Sequence, residues 1–319
     1  MYIIKQIPQD FYVKELMNLN LNFGRYSYFL LKKKNLTTLK ALELVSNNSK
    51  INLKFIGYAG NKDKNAITEQ YVSILNGNKN LENIKRDDIK LKFIGYGKNK
   101  ISLGTNIGNE FKIAVRNLSR RHDKLNFIVN YFDEQRFSKN NILIGKNLIK
   151  RNFKEVCELL KLELSNPINS LSMMNKKLLR FYVHSYQSYL FNKAVSVYLK
   201  EKYKIYKKVK YSLGEFIFVD KKEKLKFPLI SFDAKFNNKN KIYLKILKDE
   251  KIRLDEFLIK ELPFLIEETI YRDVFVDVKD FKTLIYEKDE LNTNKSKQII
   301  SFKLPKGSYA TILIKLMFE

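Results

Sequence analysis

Between Gly57 and Leu75 the chain reads GYAGNKDKNAITEQYVSIL, a stretch that constrains whatever folds around it. Ile51-Asn-Leu-Lys-Phe-Ile56, an alternating apolar and polar run, leads into it, and the β-type run Gln70-Tyr-Val-Ser-Ile-Leu75 closes it. The spacing predicts two strands joined by a loop carrying Gly57, Gly60 and Asn61, with glycines allowing backbone angles that a Cβ resists. The loop holds one carboxylate, Asp63, between Lys62 and Lys64, and two neighbouring cations favour its charged form. Such a carboxylate, aimed off a strand end, could serve as a nucleophile or an electrostatic stabiliser. From local chemistry alone, Asn-Lys-Asp-Lys is usually just a solvated turn, and that reading prevails.

Composition narrows the partners. Lys and Arg total 61 against 34 Asp and Glu, a net charge of +27 over 319 residues, which points to a polyanion: nucleic acid or an acidic membrane surface. Aromatics at 13% suit unpaired RNA, where bases stack on rings and phosphates meet cations. The lone Cys157 excludes a disulfide framework and a thiolate metal cluster, and His122 and His184 lie far apart in sequence. No apolar run reaches membrane-spanning length, and the N-terminal residues lack the order of a signal peptide, so a cytoplasmic protein is expected.

The wider pattern Gly60-x-Lys62-Asp63-x-x-Ala66-x-Thr68-x-Gln70 resembles the signature of the TruD family of tRNA pseudouridine synthases. Pro8-x-Asp10-Phe11-x-Val13-x-Glu15 is similar to the family's opening. Gly108-Asn109-x-Phe111-x-Ile113-x-x-Arg116-Asn117 resembles its second motif, and Asn130-Tyr131-Phe132 through Gln135-Arg136-Phe137 its third. Asp133 and Ser138 stand where glycines are usual, and Tyr26 replaces the family's histidine. Further matches are Ser185-x-Gln187-x-x-Leu190-Phe191-Asn192, Phe227 to Ser231, and Leu304 to Thr311.

The resemblance implies that Asp63 is catalytic and that Asn130 and Phe132 line a pocket for a flipped pyrimidine. It also implies a functional lysine five residues before a capping threonine. Counted back from Thr38 this is Lys33, although which of Lys32, Lys33 and Lys34 faces inward stays open. Lys33 or Arg136 is expected to pair with the Asp63 carboxylate, or Lys33 with the target phosphate. The implied fold is α+β: a mixed or antiparallel-sheet catalytic domain over residues 1–155 and 269–319, split by an inserted, largely helical α+β domain at 156–268, with RNA in a cleft between them. Helices are predicted from Leu39, capped by Thr37 or Thr38, and over 176–202 with an apolar face through Leu178, Tyr182, Tyr186, Tyr189, Leu190, Ala194, Val197 and Tyr198.

The implied reaction isomerises uridine to pseudouridine, with uridine 13 of tRNA the usual target. It consumes nothing, so neither cofactor nor metal is expected; the expected partner is tRNA and the expected state a monomer. Asp63 would either attack C1′ or take the 2′ proton. The alternatives are a basic RNA-binding protein without catalysis and, third, a metal-dependent nuclease.

Overall fold

The computed structural model describes residues 1–84, 86–137 and 140–319 and divides into two compact units. Unit 1 comprises Met1–Asn126, Asp277–Ala310 and Met317–Glu319; unit 2 comprises Phe127–Val276 and Thr311–Leu316. Ser138, one of the departures from the family pattern, lies outside the described residues.

Unit 1 opens with β1 (Phe11–Leu16), β2 (Tyr26–Lys34), helix α1 (Thr38–Ser49), β3 (Ile56–Tyr58), β4 (Ile67–Leu75), β5 (Ile89–Gly97) and β6 (Gly108–Leu118). Strand β1 is buried at alternate residues, as its sequence alternation requires. It pairs parallel with β4 and antiparallel with β6. Strands β1 and β3 share one edge of β4: β1 covers Ile67 to Glu69 and β3 covers Val72 to Ile74. Thr37 caps α1, its hydroxyl accepting from Lys40 N at 3.2 Å. Helix α1 lays Ala41, Leu42 and Val45 on a sheet face built from Phe29, Leu31, Val72, Ile74, Ile89 and Leu91.

Two local expectations differ from what forms. The run Ile51–Ile56 is not a strand throughout: Leu53–Phe55 make a 3-10 turn because the Asn52 side chain accepts from Lys54 N at 3.0 Å, bending the backbone before β3 begins. Gly57 and Gly60 both keep ordinary negative φ values. Gly57 is needed for close approach, since a Cβ there would lie 2.4 Å from Ile101 O, while a Cβ at Gly60 would meet nothing within 4 Å.

Unit 2 begins with β7 (Phe127–Val129), α2 (Asn141–Ile149), α3 (Phe153–Leu160) and α4 (Pro167–Ser172). It is organised around α5 (Lys176–Lys202), 27 residues and therefore about 40 Å long. Then come β8 (Ile205–Tyr211), β9 (Gly214–Val219), β10 (Lys226–Leu229), α6 (Ile242–Glu250), β11 (Ile270–Asp273) and β12 (Phe275–Asp277). Tyr182, Tyr186, Leu190, Ala194 and Tyr198 are buried as the periodicity predicts, but Leu178 is exposed and Leu179 takes its place inside. Residues 127–155 and 269–276, expected in the catalytic part, pack in unit 2 for definite reasons. Helix α2 lies on α5, and β11 pairs antiparallel with β10. The return to unit 1 adds β13 (Lys279–Lys288) and β14 (Ser296–Pro305), before the final helix α7 (Ala310–Phe318). The completed eight-stranded sheet is mixed, in the order β13-β14-β6-β1-β4-β2-β5, with β3 beside β4.

The α2–α5 contact depends on Gly145, where an added Cβ would fall 2.1 Å from Tyr182 O. Backbone cannot yield there as a side-chain tip would. Gly145→Ala is therefore expected to cost about 1–3 kcal/mol, read as a lower urea midpoint at unchanged m-value.

Candidate active site

The loop between β3 and β4 is fixed by buried polar groups from three surrounding elements. At the start of α1, Thr38 Oγ1 donates to Gln70 Oε1 at 2.9 Å and accepts from Lys62 N at 2.9 Å. Gln70 Nε2, from β4, donates to Gly60 O at 3.2 Å. Thr38 can serve the loop because Thr37, not Thr38, performs the capping. Glu15, at the end of β1, is fully buried; its Oε1 meets Lys62 Nζ at 2.6 Å and its Oε2 accepts from Tyr71 N at 3.0 Å. Tyr71 lies between the stretches of β4 covered by β1 and β3, and the Glu15 carboxylate supplies the acceptor there.

Lys33 completes the clamp. It is fully buried at the end of β2, donating to Leu36 O and Asp63 O, both at 2.7 Å. This decides which lysine of the run turns inward: Lys34 is exposed, and Lys32 pairs with Glu69 at 3.3 Å. Burial pulls the Lys33 amine down to about 8, partly opposed by the Asp63 charge and reinforced by Lys62.

With its backbone clamped, the loop leaves the Asp63 carboxylate outward, 36% exposed, with Lys5 Nζ 3.5 Å from Oδ1. Lys33 touches the Asp63 carbonyl; the cation beside the carboxylate is Lys5, which the sequence reading missed. Lys5 sits in the left-handed region at φ 58, with its ammonium 4.1 Å from the centre of the Phe11 ring. The segment carrying it is tied down by a two-way bridge between Ile3 and Arg116, 3.0 and 2.8 Å.

Asn130, Phe132 and Arg136 lie in unit 2, Lys33 and Asp63 in unit 1. Asn130 is buried; its Nδ2 donates to Asp273 O at 3.0 Å and its Oδ1 accepts from Arg272 at 2.7 Å. The backbone of Phe132 is held at both polar groups by the Asn192 amide of α5, at 3.0 and 2.8 Å. The Phe132 ring meets the Arg272 guanidinium at 4.1 Å, that of Arg136 at 5.4 Å and the Phe191 edge at 5.7 Å. Arg136 also lines a cavity of about 140 Å³ with His184, Gln187, Leu229, Glu267 and Ile270. Asn192 belongs to a motif match that carried no site role in the sequence, and Arg272 joins the group only through the fold.

The altered Lys33 ionisation gives a testable pH dependence. Below about pH 8 the amine is charged whether folded or unfolded, and its full burial penalty is present. Between pH 8 and about 10.4 the folded amine loses its proton before the unfolded one does, so unfolding takes up a proton and stability rises with pH. The stability of wild type minus that of Lys33→Met is expected to increase by about 2 kcal/mol across this window in urea titrations at fixed ionic strength. A flat difference would contradict the buried-amine assignment.

The family model described as tRNA pseudouridine synthase D (TruD) matches residues 2–165, 156–227 and 214–317. The chain is 30% identical to the probable tRNA pseudouridine synthase D 1 of Methanococcus maripaludis, with 99% of each chain covered. It is 29% identical to the tRNA pseudouridine synthase D of Aquifex aeolicus, over 99% of this chain and 97% of that one. The crystal structure of a putative TruD from Methanosarcina mazei shares the fold, with a TM-score of 0.70 over 98% of this chain and 92% of that one at 24% identity. From Tyr2 to Met317, the chain belongs to the TruD family of tRNA pseudouridine synthases, and is an isomerase.

Proposed function

We propose that Asp63 performs the isomerisation, and that its target is uridine 13 of tRNA. One observation carries the assignment of Asp63. The loop backbone is clamped by Thr38, Gln70 and Lys33, while the carboxylate itself is left outward beside the ammonium of Lys5. A group presented this way is preorganised for a reaction that develops positive charge on a ribose ring. The C1′–N1 bond breaks and the uracil turns. The C1′–C5 bond then forms, C5 gives up its proton and N1 gains one. Asp63 acts on the ribose, at C1′ or at the 2′ position.

Lys33 serves as a positioning residue, setting the Asp63 backbone through its carbonyl. Lys5 balances the carboxylate charge before and after the bond is broken. Asn130, Phe132 and Arg136 contribute to recognition of the RNA, with Arg272 as a fourth member of the group. Support for this comes from the two partly exposed guanidinium groups of Arg136 and Arg272, held against the buried Phe132 ring and suited to phosphates and flat bases. The uridine-13 target rests on the family's usual substrate.

Carbodiimide primer extension on an unmodified tRNA pool tests both halves. Wild type is expected to produce a new stop, at position 13. Asp63→Asn should give none, while binding tRNA within about twofold of wild type. Turnover by Asp63→Asn would remove Asp63 from the mechanism, and a stop elsewhere would correct the target. Lys5→Met should retain binding and lose about a hundredfold in kcat, a loss that a purely structural role for Lys5 would not confine to kcat.

A further inference from the structure

The end of β2 opposite Asp63 carries a feature that isomerisation does not use. Tyr26 begins β2 and Lys33 lies seven residues on, so the two ends are about 24 Å apart. Just before Tyr26, the connection from β1 turns back through Asn22, Phe23, Gly24 and Arg25, and the Phe23 side chain stands 95% exposed. Both flanks of that residue are fixed. Asn22 N donates to Tyr96 O at 2.9 Å, and Arg25 O accepts from Asn76 N at 2.7 Å. Gly24 is pressed so close to β5 that a Cβ there would fall 2.1 Å from Gly97 O. An aromatic ring on a tip held this way keeps its faces in water.

Its neighbours share a character. Tyr96 is 44% exposed, on a stretch of β5 where the pairing with β2 slips by one residue between Tyr28 and Phe29; such a bulge re-aims the side chains that follow. Arg25 and Lys98 are exposed, and neither has a carboxylate partner among the described residues. The segments that build this end, residues 17–42, 70–81 and 89–109, contain no Asp or Glu at all.

We propose that Phe23, with Tyr96, Arg25 and Lys98, forms a stacking platform for an unpaired nucleotide of the RNA substrate, remote from the uridine that is isomerised. The base lies on the Phe23 ring, and Arg25 and Lys98 meet the adjoining phosphates. Stacking of this kind accepts any base, since each has a π-face, and a carboxylate-free surround leaves nothing nearby to repel the backbone. The identity of the RNA as tRNA rests on the reading above; the platform itself rests on exposure, clamping and charge.

The test uses the full chain with Phe23→Ala, Phe23→Trp and the double variant R25Q/K98Q, each checked for an unchanged melting temperature. Phe23→Ala is expected to raise the Kd for unmodified tRNA about tenfold and to lower kcat/KM by the same factor, nearly all of it in KM. Phe23→Trp should restore both. R25Q/K98Q should make the dependence of log Kd on log salt shallower by about two, whereas Phe23→Ala should leave that slope alone. A tRNA Kd within twofold of wild type for Phe23→Ala would overturn the platform. So would Phe23→Ala releasing the protein from phosphatidylserine vesicles in flotation without weakening tRNA binding, which would assign the tip to a membrane surface. Wild-type turnover with an indifferent Phe23→Ala would sink the platform and leave the enzymatic reading standing. Weakened tRNA binding by Phe23→Ala, with no pseudouridine formed by wild type, would support the platform and sink that reading.

Discussion

The geometry around Asp63 depends on a carboxylate that never reaches solvent. Glu15 is fully buried at the end of β1, and its two oxygens do different work: one accepts the Tyr71 amide, the other holds the Lys62 ammonium. Burying an ion pair is costly, and it is tolerated when the geometry is good and the remaining lone pairs are used. Here the second oxygen is used by a backbone amide left between two ladders. Withdrawing Lys62 to Glu15 also fixes which way the loop faces. Lys62 and Asp63 are adjacent, so drawing one inward to Glu15 sets the direction of the other.

A second buried network places Lys5. Arg116, on β6, is almost fully buried and bonds to Asp10 at 2.9 Å, Asp289 at 2.7 Å and Glu290 at 3.0 Å. Burial works against the guanidinium charge, but its bonds to Glu290, Asp289 and Asp10 prevail and hold it more firmly protonated than usual. The bond from Arg116, followed by that from Lys297, brings Glu290 down to about 2. Asp10 closes the turn after Ile7 through Ile7 N at 3.0 Å, while the Arg116 backbone bridges Ile3. The N-terminal arm is thus fastened on both sides of Lys5, which accounts for a lysine held at a left-handed φ beside the carboxylate.

The parts of the site legible in the sequence are those that fall inside a contiguous family motif. Asp63 and Lys33 stand out through the family resemblance, Lys33 by counting back from Thr38 as the capping residue, whereas the cap is Thr37. Glu15, Thr38 and Gln70 were visible as motif members, but their convergence on a single loop was not, because nothing in a linear pattern says that three elements meet. Lys5 had no signal at all: its bond to Asp63 spans 58 residues of chain and arises from sheet order. The strand predicted at Ile51–Ile56 gave way to a turn because one Asn side chain competed successfully for a backbone amide. Residues 127–155 packed with unit 2 because Gly145 lets α2 close on α5, a matter of tertiary contact that periodicity within either helix cannot express.

Charge is distributed unevenly along β2. Near Asp63 three lysines are engaged, Lys62 with Glu15, Lys32 with Glu69 and Lys33 with two carbonyls, while Lys34 and Lys64 stay exposed. The engaged lysines fix local geometry around one carboxylate, and charge already paired with a carboxylate adds little to attraction for a polyanion. At the far end, Arg25 and Lys98 have no carboxylate partner among the described residues, and the segments around them carry no acidic residue. Unpaired cations there can release counterions from RNA at little desolvation cost. An enzyme that acts on a single uridine within a large folded RNA gains from such a division. Affinity can be drawn from the remote end, without spending on tight ground-state binding the interactions that must strengthen only as the glycosidic bond breaks.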